Sequence, residues 1–445
     1  MLRDLAIHSR RCWIEGAFID ATLEMRNGRI AGIHPGRFGT PSLLDVGDAV
    51  VMPGVVDIHV HINEPGRTEW EGFDTATRAA ALGGTTTVID MPLNSSPVTT
   101  TRDSLKRKLD AADGQLHVHC GFWAGAVGQS ATQLATTLDA GCLGAKAFLI
   151  DSGIDEFPSV GRAELATAME VLVRHGLPLL THAEVELPVA PAGTVERSLY
   201  TTYLATRPPA WEVAAIRLLI ELCRTYRCRT HVVHLSAAEA LDDIAAARAE
   251  GLPLTVETCP HYLHFCAEDI PDGRTEFKCA PPIRDQANQA KLKQAVRDGL
   301  IDLLATDHSP APPSLKEMDS GNLIDAWGGI AGIQYLLSAG WTALRDTVTL
   351  EAFIPLVTSR PARLAGLHHA KGTLSPGSDA DICIWDPNLS YVPTATTAAF
   401  RHKISPYFGQ SLHGQVIHTF VAGQHVVRHG ALIASGAGQP VLGSN

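Results

Sequence analysis

Between Gly54 and about Gly366 the chain alternates short, near-continuous runs of Val, Ile, Leu and Thr with longer stretches rich in Ala and Leu. The short runs predict strands at 55–61, 85–91, 116–122, 143–150, 177–182, 230–235, 252–258 and 301–306. Such composition suits strands buried on both faces. The stretches between them carry helical spacing, as in Trp211-Glu212-Val213-Ala214-Ala215-Ile216-Arg217-Leu218-Leu219-Ile220. Strands alternating with helices imply parallel β/α units, and eight of them point to a closed barrel rather than an open sheet.

The flanks are patterned differently. Residues 1 to about 53 show short alternating segments punctuated by Asn27-Gly28, a hairpin signal. The C-terminal part repeats the habit, first in Ile382-Cys383-Ile384-Trp385 and again in Val416-Ile417-His418-Thr419-Phe420-Val421. Neither flank alone has enough strands for a stable sheet. The expected architecture is α/β: a TIM-type (β/α)8 barrel over 54–366, beside a small β-sandwich domain built from 1–53 and 367–445.

The chain has 445 residues, more than one ordinary domain, although an α/β barrel of about 250 residues counts as one. Charged residues make up 19% and apolar residues 45%, a globular balance without a disorder signature. A formal net charge of −11 argues against a nucleic-acid or anionic-membrane surface. The segment from Met1 to His8 lacks the apolar core of a signal peptide, and no run reaches the length of a membrane-spanning helix. Nine cysteines without a C-x-x-C pair fit reduced thiols, so the expected compartment is the cytoplasm.

The first barrel run, Val55-Val56-Asp57-Ile58-His59-Val60-His61, closes on two histidines spaced i, i+2. Side chains alternate along a strand, so both imidazoles share one face and can hold a divalent metal such as zinc. Alone, such a pair is most often an ordinary strand feature. Four more runs carry a candidate ligand: Lys146 in the fourth, His182 ending the fifth, His234 near the end of the sixth, and Asp307 after the eighth. All lie toward the C-terminal ends of strands, where barrel sites form. His231, three residues before His234, is expected to face the wall instead.

Lys146 is the odd member, because an ammonium is a poor ligand and costly to bury. Either it reaches solvent, or its amine captures carbon dioxide and the carbamate bridges two cations. Asp307 is either a turn or cap residue, or a ligand that also moves a proton.

Together these elements resemble the amidohydrolase superfamily, in the cyclic-amide hydrolase branch that holds dihydroorotases and hydantoinases. The resemblance runs over essentially the whole chain, including Met52-Pro53-Gly54 before the barrel and Pro376-Gly377-Ser378-Asp379-Ala380-Asp381 after it. Within the branch it is most similar to the allantoinases, through residues 59–72, 148–153, 326–332 and 401–407. The resemblance implies hydrolysis of the hydantoin-ring amide of allantoin to allantoate. It implies two divalent metal ions on His59, His61, N6-carboxylated Lys146, His182, His234 and Asp307, with Asp307 also the catalytic acid–base group. Zinc is the expected ion, though cobalt, manganese, nickel or iron suit the same ligands.

Two departures sort the relatives. Dihydroorotases carry an arginine two residues after the second histidine to hold a carboxylate, and this chain has Asn63, suited to a neutral, amide-rich substrate. Hydantoinases carry a tyrosine five residues after the lysine, and this chain has Asp151 followed by Ser152. Backbone contacts to the substrate are implied at Ala280, Gly328 and Gly329, with plain turn geometry as the alternative at each. Asn94 is a further candidate, but it sits one residue out of register with the dihydroorotase asparagine. The implied partner is a small molecule, with neither nucleic acid nor membrane, and the relatives' habit implies a homo-oligomer, a tetramer. The alternatives are a hydantoinase or dihydropyrimidinase with an unusual pocket, and a catalytically dead scaffold on the same fold.

Overall fold

The computed structural model describes residues 5–40, 42–188 and 196–443, so the first four residues of the N-terminal segment lie outside it. The barrel strands are β1 (Val55–Val60), β2 (Thr85–Asp90), β3 (His119–Phe122, continuing after Trp123 as Ala124–Gly125), β4 (Ala145–Phe148), β5 (Leu179–His182), β6 (Thr230–Val232), β7 (Leu254–Thr258) and β8 (Leu303–Leu304). Each pairs in parallel with the next, Trp123 bridging the break in β3 by donating its N–H to Asp90 O at 3.0 Å. The ring closes where Val60 bridges His308 and the His61 N–H reaches His308 O at 2.8 Å. All eight expected strands are present, and several are shorter than their apolar runs. At the eighth the reason is visible: the Thr306 N–H bonds the Asp57 carboxylate at 3.1 Å rather than a neighbouring carbonyl, which ends the ladder after Leu304.

Helices pack outside the strands. The expected helix around Trp211–Ile220 spans Pro209–Tyr226, starting at a proline and ending on Arg227 in a left-handed conformation. Its Ala215, Ile216, Leu219 and Cys223 are buried, a stripe at helical spacing.

Strands from both ends of the chain form one nine-stranded sheet. The N-terminal hairpin, Ala17–Arg26 with Arg29–Pro35, turns through Asn27 and Gly28, both at positive φ, as a two-residue turn requires. The two termini join where Val50–Pro53 runs antiparallel to Ile382–Trp385. Ile7, Leu23, Val51, Ile382, Ile384 and Phe420 fill this domain's own core. Asp381 ties it to the barrel, reached by Lys371 at 2.6 Å and by His119 of β3 at 3.4 Å. We propose domain limits near 53/54 and 366/367, with one exception: the last residues leave the sheet and lie on the barrel. There the Val441 N–H bonds Cys120 O at 2.8 Å, and a Cβ on Gly438 would sit 2.0 Å from Val118 O.

Trp385 is fully buried where the sheet meets the barrel helices, edge-on to Trp341 at 6.2 Å and near Phe353 at 6.4 Å. Trp385→Ala should destabilise the protein by about 3–5 kcal/mol, the usual cost of emptying such a site. A lowered denaturation midpoint, with metal content retained in the folded variant, is the expected readout.

Candidate metal centre

Strand alternation puts Asp57, His59 and His61 on the inner face of the barrel. His59 Nε2 and His61 Nε2 converge on Asp307 Oδ1 at 3.2 and 3.3 Å. Opposite them, His182 Nδ1 lies 2.9 Å from His234 Nε2. Lys146 on β4 is fully buried, its ammonium 4.7 Å from the Phe148 ring centroid, and Phe148 in turn stacks on His182. All six expected ligands are therefore buried in one barrel mouth.

Outer partners decide which ring nitrogens carry a proton. Glu257 on β7 takes the Nδ1–H of His59 at 2.5 Å, Leu93 O takes that of His61 at 3.0 Å, and Glu184 accepts from His182 Nε2 at 2.7 Å. In each case the lone pair left over points inward. His59 Nε2 and Lys146 Nζ have no hydrogen-bond partner among the described residues. Buried nitrogen lone pairs grouped around a carboxylate fit divalent cations and little else.

The electrostatics agree. Burial pushes the imidazoles of His59, His182 and His234 below their ordinary range. Burial also pulls the Lys146 amine down to about 8, against the pull of Asp307 and Glu257. At Asp307 burial works upward, but His59, His61 and His234 outweigh it and hold the carboxyl well below its usual range. His234 and Asp307 both adopt positive φ, 40° and 47°, uncommon for non-glycine residues and a mark of imposed geometry.

A cavity of about 810 Å³ opens over these residues, walled by Asn94, Ser152, Ala280, Gly328 and Gly329 among others. The Ser152 hydroxyl is already committed to Phe157 O at 2.6 Å. A Cβ on Gly329 would sit 2.2 Å from Ser309 O, so glycine there is a steric requirement. Asn63 is not on this wall. It is fully buried and its amide reaches Pro310 O at 3.5 Å. Asp151 does line the cavity, where hydantoinases place their tyrosine, and its carboxylate accepts from the Gly153 N–H at 3.1 Å.

An amidohydrolase-family model matches residues 50–426. An allantoinase of Arabidopsis thaliana is 43% identical, covering 95% of this chain and 88% of the relative, and one of Streptomyces avermitilis is 43% identical over 96% of each. The chain belongs to the amidohydrolase family, in its allantoinase branch. Among solved structures, the L-hydantoinase (dihydropyrimidinase) of Arthrobacter aurescens superposes on this amidohydrolase with a TM-score of 0.92 at 28% identity, covering 99% of both chains.

Sequence reasoning missed the supporting carboxylates. Glu257 binds three groups at once: the His59 ring, the His231 ring at 3.0 Å and the His234 N–H at 3.2 Å. His231, expected in the wall, thus steadies the group that orients His59. Asp57 ties β1 to β8, accepting from the N–H groups of His59 and Thr306, and burial raises its carboxyl to about 7. The usable signal was an acidic residue inside an apolar strand run, present at both Asp57 and Glu257. The family segments 59–72, 326–332 and 401–407 also meet: the Arg401 N–H reaches Glu71 at 3.1 Å, and Ser405 reaches Ala331 O at 2.7 Å. A second acid–histidine group in this amidohydrolase, His119 with Asp379 and Asp381, already holds a cation, since Lys371 bonds both carboxylates.

Glu257→Gln should weaken metal binding by about 10–100-fold, the usual effect of losing an outer carboxylate. Competition with a chelator followed by metal analysis checks it, and unchanged retention would mean that Glu257 does not hold His59 in its ligating orientation.

Proposed function

We propose that this amidohydrolase is an allantoinase, opening the hydantoin ring of allantoin to give allantoate. The observation that carries the reading is the convergence of His59 Nε2, His61 Nε2 and Asp307 Oδ1 beside the buried Lys146 amine at the floor of the cavity. His59, His61 and Asp307 would hold one divalent ion and His182 and His234 the other, with Lys146, as its carbamate, supplying oxygens to both. Bound ions of this kind polarise a carbonyl and make water nucleophilic at neutral pH. Zinc suits the ligands, and cobalt, manganese, nickel or iron are the alternatives.

The chain's own residues do the rest. Asp307, held ionised, takes a proton from the attacking water and passes it to the departing ring nitrogen. The segment 328–329 and Ala280 offer backbone groups to the ring amides, since neither position has a side chain large enough to block approach. Asn94 lines the same cavity, and Ser152 would contribute through its main chain, its hydroxyl being bonded to Phe157 O. Asn63 acts through Pro310, whose carbonyl its amide reaches. The absence of a tyrosine at 151 separates this site from the hydantoinase pattern. All nine cysteines are buried and free, in keeping with a cytoplasmic enzyme, and we expect a homotetramer.

The deciding assay is turnover of allantoin, dihydroorotate, dihydrouracil and 5-substituted hydantoins by protein of known metal content. Allantoin should dominate. Faster hydrolysis of substituted hydantoins would make the protein a hydantoinase, and no turnover of any would make it a scaffold.

Lys146→Ala should lose metal and nearly all activity, with partial recovery when a short carboxylic acid and metal are added together. Carbamate formation needs the neutral amine, and a lowered pKa of about 8 gives more of it at any pH. Reconstitution of metal-free protein at a constant concentration of dissolved carbon dioxide should therefore accelerate as pH rises from 7 to 9, then level off. Asp307→Asn should slow turnover by about 10²-fold or more while losing less metal than a histidine variant.

A further inference from the structure

His182 differs from the other ligands in how it is held. Its only outer partner among the described residues is Glu184, which is fully buried and uses a single oxygen, Oε2, for both His182 at 2.7 Å and Arg207 at 2.6 Å. The other oxygen, Oε1, is buried with no partner among the described residues. Arg207 is half-buried and lines the substrate cavity. Its main-chain oxygen accepts from Arg284 at 3.2 Å, and Arg284 is anchored by Glu212 at 2.5 Å. Glu212 in turn accepts the N–H groups of Ser236 and Ala237, each at 3.0 Å, two and three residues after His234. One chain of ion pairs and hydrogen bonds therefore runs from Glu184 through Arg207 and Arg284 to Glu212, behind both histidines of the second metal position. The three-ligand position depends on Glu257, Asp57 and Leu93 O and touches none of these groups except at the His234 main chain.

We infer that Arg207 is a positioning residue that sets occupancy of the His182–His234 metal position by pinning Glu184 against His182. The inference rests on the two-metal reading of the site. A carboxylate with one bare oxygen and two donors on the other is not fixed by its own geometry. Remove Arg207 and a buried, uncompensated carboxylate is left free to rotate toward another donor, releasing the His182 ring from the orientation that aims Nδ1 at the site. Because Arg207 also forms cavity wall, a ligand that draws its guanidinium forward disturbs the same link. That couples occupancy of the cavity to the second metal position.

The test is metal stoichiometry rather than activity. Wild type, Arg207→Met, Arg207→Lys and Glu184→Gln are loaded with zinc, dialysed against a graded chelator and analysed for metal per chain, with thermal unfolding run in parallel. Arg207→Met should retain one ion per chain where wild type retains two, and its affinity for the second should fall about 10–100-fold. Arg207→Lys should recover part of it. Glu184→Gln should behave like Arg207→Met. Two ions retained at wild-type affinity in Arg207→Met would overturn the inference, as would simultaneous loss of both ions from a variant that unfolds normally. If Arg207→Met does not fold, Glu184→Gln, which keeps the side-chain shape, decides the matter on the same criteria. Wild type that retains no zinc would defeat the two-metal reading itself, a separate outcome.

Discussion

Burial of imidazole nitrogens with their protons pointing outward is the constraint on which this structure turns. Three of the four histidines, His59, His61 and His182, donate to a group behind them, while His234 faces His182 with its Nδ1 unpartnered among the described residues. The vacated lone pairs need a common electrophile. Glu257 carries most of this load, since it bonds the ring of the ligand His59, the ring of the wall residue His231, and the main chain of a second ligand, His234. The carboxylate itself is tolerated because those donors surround it: burial raises its pKa, but His59 and His231 prevail and bring it down to about 2.

The barrel and the site are consequently one construction. Asp57 interrupts hydrogen bonding between β1 and β8 and substitutes its own carboxylate for a carbonyl. This closes the ring while freeing the chain after Leu304 to bend, so that Asp307 reaches the histidines of β1 at a positive φ that an undistorted strand would not allow. The flanking sheet contributes at a distance, through the segment 401–407 that braces the loops around Glu71 and Ala331. That bracing explains why a stretch far along the chain carries a family signature without touching the cavity.

Much of this was legible in the sequence because its causes are local. Eight apolar runs with helical stretches between them prescribe a barrel, and a histidine pair at i, i+2 prescribes a shared face whatever lies around it. Strand ends were less legible, as at residues 301–306, because a long-range carboxylate and not the run itself terminates the ladder. Asn63 shows the same limit at the site. Its spacing from His61 matches a substrate-binding position in relatives, yet the side chain is committed to Pro310 O. The carboxylates behind the ligands were harder still: an acidic residue in an apolar run signals a buried partner without saying which one.

The central claim is that the six converging residues hold two ions across a carboxylated lysine. The most direct measurement is a crystal structure of the metal-loaded protein, with anomalous scattering recorded at the metal's absorption edge. Two anomalous peaks, one among His59, His61 and Asp307 and one between His182 and His234, with extra density continuous with Lys146 Nζ, are what the account predicts. A single peak, or two peaks beside a bare lysine amine, would contradict it.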